Sequence, residues 1–218
     1  MRTISKSEYD ALVAASDVIE KDRRGEKVLR LSTGHFLKTF WFRYKISSRR
    51  IYPEWLRFSL HAKSLQKRNI PTVTMIESVK IPHLNRTGVI YEPLEGRTLR
   101  QVSSDGEFSE ELAVRLGAFV AGLHNQGIHF HSLHLGNVLL CPDQTFGLLD
   151  ISDMRVYRWP LCGATRIRNF IHLFRYEQDC NILKSAGKTS FFDGYNSVHR
   201  LKRLSANQLM PFEKWMSS

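Results

Sequence analysis

The chain has 218 residues, of which 42% are hydrophobic, so it is long enough for one domain or two small lobes with a core. Three cysteines without a C-x-x-C pair argue against a disulfide framework or a zinc ribbon. The chain has a formal net charge of +11, no signal-peptide region and no apolar run of about 18 residues, so we expect a basic, cytoplasmic protein that does not span a membrane.

The first part of the chain alternates between strand and helix patterns. Ser5 and Glu8 have the spacing of a capping box, which predicts a first helix over residues 6–15. Helical apolar spacing predicts a second helix over 54–68, and Asn69 ends it. Apolar runs bounded by polar turns predict strands over residues 17–20, 28–31, 36–42, 73–79 and 87–91.

The pattern changes at Glu95-Gly96, which we interpret as a hinge. Ser109 is placed to cap a long amphipathic helix that Gly127 ends. Two short apolar runs, 138–140 and 146–149, flank a Pro-Asp turn and predict a β-hairpin. The remaining residues are mostly helical in pattern.

The hairpin carries a polar residue at each end, Asn137 before its first strand and Asp150 after its second. Protein kinases carry a catalytic loop H-R-D-x-x-x-x-N followed by a D-F-G one hairpin later. The Asn-to-Asp spacing here, 13 positions, is similar to the kinase spacing. Amide and carboxylate oxygens are the hard ligands that Mg²⁺ on ATP requires, so Asn137 and Asp150 are candidate metal ligands rather than a turn residue and a strand cap.

Several segments together resemble one family. GVIYEPLEGRTL is similar to a kinase hinge, LAVRLGAFVAGLHNQGI to the helix before the catalytic loop, and FLKTF to the strand with the ATP lysine. With FHSLHLGNVLL and LLDISD, the chain resembles bacterial lipopolysaccharide-core kinase-like proteins, closest to the branch labelled toluene tolerance proteins. The resemblance implies an α+β, bilobal protein-kinase-like fold. A small antiparallel-sheet N-lobe with a helix (1–93) would precede a short, mostly helical C-lobe (94–218).

The resemblance also implies how ATP and Mg²⁺ would be held. Lys38 would contact the α- and β-phosphates, although an exposed strand lysine is the alternative. Glu92 and Leu94 would recognise the adenine edge through their backbone groups. Asn137 and Asp150 would hold Mg²⁺. Glu54 is either the ion-pair partner of Lys38 or a residue that only favours the helix dipole.

The position of the kinase catalytic Asp is occupied by Ser132. A slow kinase can survive that loss, or His134 or Asp153 can substitute, so Ser132, His134 and Asp153 are the candidate catalytic residues. The alternative is a non-catalytic pseudokinase that binds nucleotide or phosphorylated glycan and regulates a partner. Four histidines near the loop also leave a zinc site open; they are His124, His129, His131 and His134.

The acceptor implied by the resemblance is a sugar hydroxyl on a glycolipid, or the lipopolysaccharide core. Residues 21–70 carry 14 Lys and Arg against 3 Asp and Glu, and aromatic residues interleave with them between Trp41 and Trp55. This composition suits an anionic membrane surface, nucleic acid, or an ordinary core with exposed charges. We expect peripheral contact with the inner face of the cytoplasmic membrane and regard nucleic acid as the weaker alternative.

Overall fold

The computed structural model describes residues 1–23, 25–41, 53–187, 189–198, 204 and 212. The chain divides into two compact units, Met1–Leu94 and Glu95–Ser218, and its class is α+β. Most of the basic and aromatic segment between Trp41 and Trp55 lies outside the described residues. Within the described residues, no helix is long and apolar enough to cross a membrane.

Unit 1 is built around one six-stranded sheet with the strand order β1-β5-β6-β4-β3-β2. The expected sheet was antiparallel, but it is mixed, because the two-residue strand β1 runs parallel to β5 while the other pairs are antiparallel. The elements of unit 1 are β1 (Arg2–Thr3), α1 (Lys6–Ala14), β2 (Asp17–Asp22), β3 (Gly25–Arg30), β4 (Phe36–Trp41), α2 (Glu54–Gln66), β5 (Thr74–Ile81) and β6 (Arg86–Glu92).

The two faces of the sheet are covered by different helices. Leu29, Leu37 and Ile90 are in register across β3, β4 and β6, and they pack with Tyr9 of α1. The opposite face carries aromatic residues of β4 and β6 against Phe58 of α2. The alternation of side chains along β4 therefore gives two small cores, one on each face.

Unit 2 contains five helices and short strands in its described residues. The strands form a three-stranded sheet, β10-β9-β7, and a two-stranded sheet, β11-β8. The elements are β7 (Arg97–Thr98), α3 (Leu99–Ser104), α4 (Glu110–Asn125), β8 (Ile128–Phe130), β9 (Val138–Leu140), β10 (Phe146–Leu148), β11 (Met154–Val156), α5 (Gly163–Leu173), α6 (Glu177–Ser185) and α7 (Ser190–Asn196).

Helices α4 and α7 pack closely because glycines stand at their crossing. A Cβ atom on Gly117 of α4 would collide with the carbonyl oxygen of Phe191, and one on Gly194 of α7 would collide with that of Val114. Phe191 also belongs to a cluster of aromatic rings around Phe170 of α5, which is fully buried. The aromatic cluster and the close helix pair form the core beside which the short strands lie.

Candidate functional site

Lys38 lies in the middle of the central strand β4, paired with Val28 on one side and Val89 on the other. Only 7% of the residue is exposed, and its Nζ lies 5.7 Å from the ring centroid of Phe58. The alternative of an exposed strand lysine is therefore wrong. A lysine on a buried face of a central strand can direct its charge toward an anion, so Lys38 stays a candidate for binding phosphate.

The other residues expected at a nucleotide lie elsewhere in unit 1. Glu54 is in the first turn of α2, one turn before Phe58, and Pro53 occupies the N-cap position without a side-chain hydrogen bond. Glu92 is the exposed last residue of β6 and pairs with Thr74 of β5, whereas Leu94 is half-buried at the end of the unit.

In unit 2, Asn137 fixes the loop that precedes β9. Its side-chain Nδ2 donates to the carbonyl oxygen of Ser132 at 2.9 Å, and its backbone N–H donates to that of His134 at 2.9 Å. Asn137 therefore holds both Ser132 and His134, and so fixes the shape of the loop over residues 132–136. With Nδ2 used inside the loop, the amide oxygen is the atom of Asn137 that can serve as a metal ligand.

Asp150 follows β10, which pairs with β9 in antiparallel register. The backbone N–H of Leu149 donates to the carbonyl oxygen of Asn137 at 2.9 Å. The hairpin therefore brings the backbone of Asn137 next to the residue that precedes Asp150. Asp150 has a φ of 48°, in the left-handed region that few non-glycine residues occupy. Such conformations are frequent at functional sites.

His134 lies in the same loop and is surrounded by charged and aromatic groups. Its Nδ1 accepts from the N–H of Gly136 at 3.1 Å, and its ring meets that of Tyr176 edge-on at 5.2 Å. Burial lowers the pKa of His134, and the nearby Arg100 adds to this effect, whereas Asp179 and Asp150 oppose it. The imidazole is therefore held neutral near physiological pH, next to a candidate metal ligand.

A buried carboxylate holds the loop over residues 132–136 through a hydrogen bond to its backbone. Asp179 of α6 is fully buried and accepts from Arg100 at 2.6 and 3.2 Å and from the N–H of Leu135 at 2.9 Å. Hydrogen bonding to Asp179 raises the pKa of Arg100. Sequence reasoning missed this pair, because its members are 79 positions apart and neither belongs to a motif.

Asp153 is exposed and bonds His131 rather than the residues of the hairpin. His131 Nδ1 lies 3.0 Å from Asp153 Oδ1, and the backbone N–H of His131 donates to the backbone carbonyl oxygen of Asp153. His131 Nε2 in turn lies 3.1 Å from His129 Nδ1. Asp153 can thus orient the histidine that precedes Ser132, whose half-buried side chain lies in the loop.

His124 is a structural residue, not part of the loop. Its Nδ1 lies 2.8 Å from the Tyr195 hydroxyl and its Nε2 3.0 Å from Asn169 Oδ1. Asn169 Nδ2 donates to the carbonyl oxygen of Phe130, which fixes the amide orientation and makes His124 Nε2 the donor. Burial lowers the pKa of His124 to about 3. A neutral histidine of one tautomer therefore ties α4, α5 and α7 together.

The alternative of a zinc site finds no support in the part of the chain that the structure describes. Within those residues, no group of three or more His, Cys, Asp or Glu side chains is arranged to hold a metal ion. His124 and His134 are engaged in separate contacts, with Tyr195 and Tyr176.

The chain matches no model of a known protein family, and no curated protein matches it. Lys38, Asn137 and Asp150 are candidates by their sequence context and local geometry. These are a buried lysine on a central strand in unit 1, and an Asn-to-Asp hairpin with a closed loop in unit 2.

Proposed function

We propose that the protein is an ATP- and Mg²⁺-dependent phosphotransferase of the lipopolysaccharide-core kinase type, which phosphorylates a sugar hydroxyl on a glycolipid. The observation that carries the proposal is the hairpin with Asn137 before its first strand and Asp150 after its second. Its register and the backbone hydrogen bond from Leu149 to Asn137 bring the residues Asn137 and Asp150 to one end of two neighbouring strands. This donor chemistry fits Mg²⁺.

Each candidate residue has a role that follows from its chemistry. Lys38 would bind phosphate oxygens by charge, and Asn137 and Asp150 would hold the metal. Glu92 and Leu94 would offer backbone groups to the adenine edge. Bound Mg²⁺ would neutralise the charge that develops on the phosphates. The chain's own contribution is to hold these groups on strands or beside strand ends, which suits a reaction that depends mainly on positioning.

The Ser132 hydroxyl stands in place of a carboxylate base. A general base contributes about 10²–10⁴ in rate, so its loss slows the reaction without abolishing it, since the transition state of phosphoryl transfer is loose. His134 is held neutral, and because its Nδ1 accepts from the Gly136 N–H, its Nε2–H can donate to a phosphate oxygen. Asp153 would act indirectly, through His131.

Ser132 also favours a second candidate function, a pseudokinase that binds nucleotide or phosphorylated glycan and regulates a partner. Asn137 closes the loop although Ser132 offers no carboxylate base. The loop can therefore bind a ligand without transferring phosphate. The two functions differ in one measurable respect, the transfer of phosphate.

Nucleotide binding is tested first, by titration calorimetry of the full chain with ATP and Mg²⁺. Lys38→Ala and Asp150→Ala should each weaken binding about tenfold or more, since each removes a charged contact worth about 1.5–3 kcal/mol. Asp143→Ala is the matched control, because Asp143 is an exposed acid in the turn of the same hairpin. No heat with wild type at high micromolar concentration contradicts the phosphotransferase and a pseudokinase that binds nucleotide.

The acceptor is tested by mass spectrometry of core glycolipid from cells with and without the gene. Loss of one phosphate, restored by wild type but not by Asp150→Ala, supports the phosphotransferase. An unchanged glycolipid, combined with ATP·Mg²⁺ binding in the calorimeter, favours the pseudokinase.

Peripheral contact with an anionic membrane is a further part of the proposal and rests on the sequence alone. Residues 21–70 have a surplus of 11 basic over acidic residues. Each basic residue near an anionic surface contributes about 1 kcal/mol, and salt weakens this attraction. Co-sedimentation with anionic vesicles should fall at about 1 M salt and on replacing four residues by Ser: Arg43, Lys45, Arg49 and Arg50. Equal binding by that variant contradicts the assignment of this segment.

A further inference from the structure

A surface cavity of about 420 Å³ in unit 2 is lined by basic side chains from β8, β11 and α5. Its volume falls in the range of sites for small ligands. The side chains that matter are three histidines, two arginines and one acid; they are His129, His131, His172, Arg155, Arg168 and Asp153. The proposed phosphotransferase makes no use of this cluster, apart from the indirect role of Asp153.

The histidines of the cavity contact one another. His131 lies between Asp153 and His129, and the His131 and His172 ring centroids are 5.7 Å apart. His129 is only 6% exposed, and its Nε2 has no hydrogen-bond partner among the residues that the structure describes. A buried ring nitrogen without a partner is uncommon, and a bound ligand is one way of satisfying it.

The charges of the cavity are not balanced within it. Arg155 and Arg168 are exposed, and no carboxylate in the described part of the chain pairs with either. Burial, together with repulsion by the other two histidines and both arginines, lowers the pKa of His129 to about 4. The single acid, Asp153, is already paired with His131. No carboxylate of the cavity is therefore left to balance its two arginines.

We propose that this cavity binds a phosphomonoester group. Arg155 and Arg168 would supply guanidinium forks, whose geometry matches phosphate oxygens, and ring N–H groups of His129 and His172 would supply further donors. A divalent cation suits the cavity less well, because two arginines repel it. The inference does not depend on phosphotransferase activity, since it concerns none of the residues assigned to ATP or Mg²⁺.

The test is calorimetry of the full chain without Mg²⁺, with inorganic phosphate and with glucose 1-phosphate as soluble probes. The double variant Arg155→Gln/Arg168→Gln should bind at least about tenfold more weakly than wild type. Both side chains are exposed, so the variant should fold, and circular dichroism checks this. The matched control is Arg30→Gln/Lys80→Gln, which removes the same charge from exposed strand positions of unit 1 and should bind like wild type.

A lipid headgroup is distinguished from a soluble phosphate compound with vesicles of phosphatidylcholine that contain or lack phosphatidic acid. Binding to phosphatidic acid alone, lost in the double arginine variant, supports the proposal with a lipid headgroup as the source. Asp150→Ala should bind both probes like wild type, which separates this cavity from the nucleotide proposal. Equal affinity of wild type and the double arginine variant for every probe overturns the inference. The inference is also overturned if no phosphate probe binds and the cavity instead binds Zn²⁺ in a way that His172→Gln abolishes.

Discussion

The buried His124 predicts a specific dependence of stability on pH. In the folded protein its pKa is about 3, whereas an exposed histidine in an unfolded chain has a pKa of about 6.5. Between these values the unfolded chain binds a proton that the folded chain does not. The free energy of unfolding must therefore fall as the pH falls below about 6.5, and it is unaffected by this residue above that pH.

The size of the effect follows from the two pKa values. At pH 5 the unfolded state gains about 2 kcal/mol from protonation of His124, which is a large part of the stability of a small unit. His129, whose pKa is lowered to about 4, adds a contribution of the same sign and about the same size. Urea unfolding followed by circular dichroism at pH 7.5 and pH 5 measures the total loss, to which His134 and His172, whose pKa values burial also lowers, add with the same sign.

The variant His124→Gln isolates the contribution of His124. Glutamine does not titrate, and its amide can replace both ring contacts, accepting from Tyr195 and donating to Asn169. The loss of stability between pH 7.5 and pH 5 should shrink by about 2 kcal/mol relative to wild type. His83→Gln, at an exposed position, is the matched control and should leave the loss unchanged. An unchanged pH dependence in His124→Gln would refute the assignment of a buried neutral imidazole.

Three further predictions concern packing, support of the loop and turnover. Gly117→Ala should destabilise by about 1–3 kcal/mol, because its Cβ would meet the backbone of α7. Gly122→Ala on the same helix has open space and should stabilise by up to about 1 kcal/mol; equal effects of the two in thermal unfolding would be contrary to this packing. Asp179→Ala should cost about 3 kcal/mol and weaken ATP·Mg²⁺ binding; unchanged stability in urea would argue against a supporting role. If phosphate transfer is detected, Ser132→Asp should raise the rate and His134→Ala lower it; equal rates mean that neither residue takes part.

The elements with a clear period were predictable from the sequence. The helix that Ser109 caps, α4, spans Glu110–Asn125, and the hairpin strand Val138–Leu140 has the predicted bounds. The cap of α1 forms only in part: Ser5 accepts from the Glu8 N–H, but the Glu8 side chain bonds Arg2 instead. Local spacing specifies these features because their partners are near in sequence.

Short elements and distant pairs were not found. Four strands of two or three residues are too short to show a period and are not marked by a turn like that between β9 and β10; they are β1, β7, β8 and β11. Helix α3 was missed although its capping box, Thr98 with Gln101, is visible in the sequence. The bond of Asp179 to Arg100 and the meeting of His129 with His172 join positions far apart, so only the folded chain brings them together.

One strand links the candidate loop to the cavity. Phe130, the last residue of β8, exchanges two backbone hydrogen bonds with the Asn169 side chain, and Asn169 also accepts from His124. His129, on the same strand, enters the cavity, and His131 begins the segment that leads to Ser132. A change in the buried His124 network would therefore displace both sites at once. Substitutions at the cavity surface, such as Arg168→Gln, leave that network intact, so their effects on ligand binding report on the cavity itself.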